Sequence, residues 1–162
     1  VSFSVALAAG CIGAAAIAVT AFALRRPRRP SHRVIAALGW LWVCGVAGLT
    51  FGTRSGGGQA VNLALLDTSN PADVHDFILN MIMFVPGGAL LAGLRTPLWA
   101  AGLCGFLGSL TIETTQYLAR TGRTADINDL LSNTLGCLAG FACAALIRLI
   151  ANAARRPVPS PR

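Results

Sequence analysis

Eight polar side chains stand out against an otherwise apolar chain: Asn80; Glu113, Gln116, Arg120 and Arg123; and Asp126, Asp129 and Asn133. Buried carboxylates bind amines and hydroxyls or exchange protons, guanidinium groups grip phosphate and carboxylate, and amides supply both donors and acceptors. Helical residues three, four and seven apart share a face. Asp76 and Asn80 therefore align with Phe84 and Gly87; Glu113, Gln116 and Arg120 form a second stripe; Asp126, Asp129 and Asn133 form a third. At 1.5 Å per residue, each of the last two stripes runs about 10 Å along its helix, so the polar groups reach comparable depth.

These stripes must sit on membrane helices. The 162 residues are 54% hydrophobic and 12% charged, with a formal net charge of +7. That composition excludes a disordered tail, a collagen-like repeat and a disulfide-stapled secreted domain, and predicts an all-α, polytopic membrane helix bundle. Five stretches approach the roughly 20 apolar residues needed to span a bilayer: 3–24, 34–51, 77–94, 98–117 and 130–150. An ionisable group inside a span costs about 2.5–3.5 kcal/mol even on the mild insertion scale, so it should face other helices or water. One shared polar pocket is the expected arrangement, with Asn80, Glu113, Gln116, Arg120, Arg123, Asp126, Asp129 and Asn133 as its ligand-binding residues.

All 13 cations are Arg. Basic loops resist translocation, so the 25–33 loop and the 152–162 tail are predicted to be cytoplasmic and the N-terminus external. In that orientation the inner side holds ten Arg and the outer side Arg54, Arg120 and Arg123, while all six carboxylates lie toward the outside. The location expected is a membrane, multi-pass, with chemistry facing outward. The first span has no basic residues ahead of it and is followed by an Arg cluster, which fits a retained helix better than a cleaved signal. A single domain is expected over 1–162, with its motif-bearing core at about 74–141. The clustered cations serve topology, and no nucleic-acid partner is expected.

Other features read as structural. Gly136 and Gly140, Gly48 and Gly52, and the row Gly102, Gly105 and Gly108 suit close helix contact. Pro86, followed by Gly87 and Gly88, predicts a kink that opens space in the third span. Trp40, Trp42 and Trp99 read as interfacial anchors. The five cysteines lie in apolar spans with no C-x-x-C pair, and 126–129 lacks the spacing of an EF-hand, so no metal or cofactor is expected. His75, Asp67 and Asp73 read as loop residues.

The segments NMIMFVPGG (80–88), SLTIETTQYL (109–118) and GRTADINDLLSNTLG (122–136), in that order, resemble the VanZ family. The shared positions are Asn80, Phe84, Pro86, Gly88, Glu113, Gln116, Arg123, Asp126, Asp129, Asn133 and Gly136. Asn128 stands where many relatives carry a further acid, and Gly87 replaces a bulkier apolar residue. The resemblance implies a bacterial cell-envelope membrane protein whose namesake is associated with reduced susceptibility to the glycopeptide teicoplanin. It implies no settled mechanism.

Three functions fit these residues. The first is a non-enzymatic protein binding an amphipathic molecule, with a membrane lipid, a lipid-linked cell-wall precursor or a glycopeptide as partner. Arg120 and Arg123 would meet phosphate or carboxylate there, and the acids would meet amine or hydroxyl. The second is an enzyme acting on a lipid-linked or phosphorylated substrate, with Glu113 as candidate acid/base and Asp126 and Asp129 as candidate Mg²⁺ ligands. The third is a scaffold or small transporter, which the lack of an evident inverted repeat disfavours.

Overall fold

The computed structural model describes residues 2–52, 61–119 and 124–155. Five helices follow in order: α1 (Phe3–Ala23), α2 (Pro30–Gly52), α3 (Pro71–Gly93), α4 (Leu98–Leu118) and α5 (Ile127–Ala154). Two short strands, β1 (Val61–Asn62) and β2 (Ala125–Asp126), pair in parallel, with Val61 opposite Ala125 and Asn62 opposite Asp126. The fold class is all-α, as the apolar periodicity predicts, and β1–β2 is an addition that two-residue strands cannot announce in sequence.

Four of the helices, α1, α2, α3 and α5, are long and apolar enough to cross a membrane. The fourth stretch of the five expected, α4, has 21 residues, but its last turns carry Glu113 and Gln116 and lower its apolar content. Two helices start earlier than the apolar runs do. Helix α2 begins at Pro30 and takes in Arg33; α3 begins at Pro71, so Asp73 and His75 are helical and not loop residues. The early start of α3 has a local cause. Asn70 accepts the Ala72 N–H at 3.1 Å as the N-cap, and Pro71 occupies the first turn, where its missing donor costs nothing.

Helices α1 and α2 form one hairpin; α3 packs chiefly on α5, and α4 also packs on α5. Since lipid gives no hydrophobic drive for association, close backbone approach carries these contacts. At Gly136 and Gly140 a Cβ would run into the backbone carbonyls of Met81 and Val85 on α3, and at Gly88 it would run into the Cys137 carbonyl on α5. Both sides of the α3–α5 seam thus lack side chains where they touch. Gly105 meets Cys137 and Thr134 in the same manner across the α4–α5 contact.

Pro86 opens no space. Helix α3 runs through it, and the volume beside Gly87 and Gly88 is filled by the Trp42 indole and by the backbone of α5. Trp42 is accordingly no interfacial anchor: it packs edge-on against Phe84 at 5.6 Å and donates its indole N–H to the Met83 carbonyl at 2.9 Å. That carbonyl is one residue beyond the Ile82 carbonyl, which the imide nitrogen of Pro86 cannot bond. Phe84, Cys137, Phe141, Ala101, Ala92 and Val46 form the buried core beneath the polar end.

The described Arg residues lie at the other end. Arg33, although buried, donates from Nε to the Pro27 carbonyl at 2.8 Å and stacks over the Phe22 ring at 5.2 Å. Arg148 donates to the Ala92 carbonyl at 2.6 Å, supplying a partner in the last turn of α3.

Substituting Gly140 with Ala is expected to force α3 off α5 and destabilise the protein by about 1–3 kcal/mol, the usual cost of overpacking. Gly39→Ala, where a Cβ meets open space, is the matched control and should be neutral. Thermal unfolding of both variants in detergent checks the difference.

Candidate functional site

The site is built at the end of the bundle formed by the C-termini of α2 and α4 and the N-termini of α3 and α5. Asp126 starts it. As N-cap of α5 its Oδ1 accepts the Asn128 N–H at 2.8 Å, and its Oδ2 accepts from Asn62 Nδ2 at 2.9 Å. Its own backbone N–H donates to Glu113 Oε2 at 3.0 Å. One residue thus joins α4, α5 and the segment after α2.

Asn128 reinforces that junction, donating from Nδ2 to the Ala64 carbonyl at 2.8 Å and to Asp126 Oδ1 at 2.9 Å. Together with the β1–β2 pairing, these bonds hold residues 61–64 across the top of the bundle. Beyond them, Asp67 closes a turn by accepting from the hydroxyl and the N–H of Ser69, at 2.6 and 2.9 Å. These bonds, the hydroxyl's first, hold the exposed Asp67 carboxyl below its ordinary value, so it stays ionised in mild acid.

A second set of bonds lies deeper. Asn80 Nδ2 donates to Asp129 Oδ1 at 2.6 Å, linking α3 to α5. Asn133 Nδ2 donates to Ser109 Oγ at 2.9 Å, and Ser109 in turn donates to the Asp129 carbonyl at 3.3 Å. Gln116 Nε2 donates to the Thr50 carbonyl at 3.1 Å, giving a partner to the last turn of α2. Glu113, Gln116 and Asn133 are all buried.

A cavity of about 790 Å³ lies among these groups. Six of the eight residues expected to share a pocket, Asn80, Glu113, Gln116, Asp126, Asp129 and Asn133, line it. The other two, Arg120 and Arg123, lie outside the described residues. Apolar side chains from α2 and α3, among them Leu49, Leu79 and Ile82, complete the wall, and these three are about half exposed.

Several lining residues escaped the sequence reading. Asn62 and Asn128 had no stripe to mark them; only their long-range bonds bring them in. Asp67 and Asp73, read as solvated loop, lie on the lining as well, as does Asp76. All six carboxylates of the chain therefore line one cavity. Their common placement toward one side of the spans was the available signal.

Two buried side-chain oxygens, Asn128 Oδ1 and Asn133 Oδ1, have no hydrogen-bond partner among the described residues. Asn133 is only 2% exposed. An unsatisfied buried acceptor costs about 1–3 kcal/mol, and such groups in a cavity wall mark where a bound molecule or water supplies the missing donor.

A protein-family profile described as VanZ/LLP1 matches residues 33–148. No curated protein and no solved structure matches the chain.

Replacing Asp126 with Ala removes the α5 cap and the acceptor for Asn62, with an expected loss of about 1–2 kcal/mol. Hydrogen exchange should speed up at residues 61–64, whereas Asp126→Asn, which keeps one acceptor for the cap, should show the smaller change.

Proposed function

The chain belongs to the VanZ family of membrane proteins, and from that premise we propose that it binds the polar end of an amphipathic or lipid-linked molecule in the cavity between α2, α3, α4 and α5. Binding of this kind in the bacterial cell envelope would change how a glycopeptide of the teicoplanin type reaches its target at the membrane surface. The observation that carries the reading is Asn133: a buried amide in the wall of a roughly 790 Å³ cavity, with its carbonyl oxygen unpartnered among the described residues. A residue serving only to cross-link helices would have both ends of its amide satisfied or would be apolar. The mixed lining suits an amphiphile, since buried polar groups stand opposite exposed Leu and Ile side chains at the lipid boundary.

The cavity opens at the end of the bundle opposite Arg25, Arg26, Arg28, Arg29, Arg95 and Arg148. Arg-rich ends stay on the cytoplasmic side, so the pocket faces outward in this reading, with the N-terminus outside and the C-terminus inside. Glu113 has a structural task here. Its Oε2 receives the Asp126 N–H, fixing the start of α5. That bond supports a positioning role over the acid/base role that an enzyme acting on a phosphorylated substrate would need.

Sidedness is open to direct measurement. In a background without the five native cysteines, Ser69→Cys should react with a membrane-impermeant thiol reagent on intact cells, and Ser31→Cys only after permeabilisation. The reverse pattern would turn the pocket to the cytoplasm and end the envelope reading.

Ligand binding is tested by native mass spectrometry of the protein extracted in mild detergent. The wild type should retain a membrane amphiphile, and Asn133→Leu should lose at least about tenfold in retention, equivalent to about 1.4 kcal/mol, without a fall in thermal stability. Cells expressing this variant should lose whatever shift in teicoplanin susceptibility the wild type gives. Wild-type protein free of any bound molecule, or a variant that keeps it, would contradict the proposal.

A further inference from the structure

The described lining is rich in acceptors. Each described side-chain amide in the wall has at least one N–H committed within the protein: Asn62 to Asp126, Asn80 to Asp129, Gln116 to the Thr50 carbonyl, Asn128 to the Ala64 carbonyl, and Asn133 to Ser109. The Thr50 hydroxyl is turned back onto the Val46 carbonyl at 2.8 Å. The two buried polar atoms left over are both carbonyl oxygens, on Asn128 and Asn133. At the mouth, Asp73 and Asp76 are exposed and make no side-chain hydrogen bond among the described residues. Asp67, on the same lining, accepts from Ser69, which holds its carboxyl below the ordinary value. Among the described residues the wall thus presents unpaired buried acceptors beside exposed carboxylates, and a guest that brings donors and positive charge is their complement.

Building on the amphiphile-binding reading above, we propose that the pocket recognises the primary ammonium group of a membrane amphiphile. The –NH₃⁺ group carries three donors and no acceptor, the complement of this wall. Asp73 and Asp76 attract the cation at the mouth, and the Asn133 carbonyl oxygen in the wall receives an N–H directly or through one water. A quaternary ammonium has the charge but no N–H and leaves that oxygen unpaired. An anionic or hydroxyl-only headgroup lacks the charge. Discrimination should therefore follow both properties, since a site built to pair a donor rejects an analogue without one more strongly than a site that senses charge alone.

The test compares phosphatidylethanolamine, phosphatidylcholine and phosphatidylglycerol of identical acyl chains, each titrated into delipidated protein in detergent and read by native mass spectrometry. Phosphatidylethanolamine should be retained about tenfold over each of the others, a step of about 1.4 kcal/mol. In Asp73→Asn/Asp76→Asn, exposed changes that leave the core intact, the preference over phosphatidylglycerol should fall. In Asn133→Leu, the preference over phosphatidylcholine should disappear. Glycerophosphoethanolamine, the same headgroup without chains, should compete weakly; competition as strong as that of the lipid would overturn the assignment to a membrane amphiphile. Equal retention of phosphatidylethanolamine and phosphatidylcholine, or preference for phosphatidylglycerol, would overturn the ammonium assignment while leaving an amphiphile pocket in place. Retention of none of the three by a protein that also extracts clean from membranes would instead remove the underlying reading.

Discussion

The seam between α3 and α5 is a contact of backbone on backbone, and the polar end of the molecule depends on it. Gly136 and Gly140 of α5 lie against the carbonyls of Met81 and Val85, and Gly88 of α3 lies against the Cys137 carbonyl. Helices this close are fixed in register, because sliding either one would drive a side chain into the other's backbone. The register sets Asn80 within 2.6 Å of Asp129. Without the glycine contact those two side chains would stand apart, and α4, which packs on α5, would lose its reference as well. A row of residues with no chemistry of their own thus positions the residues that have it.

On this frame, Asp126 closes the top. Its carboxylate caps α5 and receives Asn62, while its N–H is held by Glu113. Capping and site-building are therefore one arrangement here. The same bonds that satisfy the first turn of α5 pull the segment after α2 across the bundle and give the cavity its roof. Membrane burial sharpens this economy, because a backbone donor left open at the end of a span has few other partners.

Much of this was legible from the chain alone. Apolar runs locate five helices, and the spacing of Asp76 with Asn80, of Glu113 with Gln116, and of Asp126, Asp129 and Asn133 marks the six of the eight expected residues that line one cavity. Those signals are local and periodic, as helix faces are. What the sequence concealed is long-range. Asn62 and Asn128 join the site through partners 64 residues away, and Trp42 fills the space beside Gly87 from another helix. The cap at Asn70 moves the start of α3 six residues ahead of its apolar run, bringing Asp73 into a helix. Apolar periodicity carries no record of capping, because the first turn of a capped helix is polar.

The two ends of the bundle use charge in opposite ways. At the basic end, Arg33 and Arg148 are bound to backbone carbonyls, and Arg25 and Arg95 adopt left-handed backbone angles that close α1 and α3. Those Arg residues finish helix ends, and their hydrogen bonds are answered inside the protein. At the acidic end two buried acceptors have no partner among the described residues, the side-chain oxygens of Asn128 and Asn133, and the exposed Asp73 and Asp76 lie on the same lining. If the polar stripes existed only to glue helices, both ends would be expected to show the same closure, since helix association favours complete pairing in a medium that cannot supply it. Among the described residues, the asymmetry places the unpartnered buried acceptors at the end where the cavity lies.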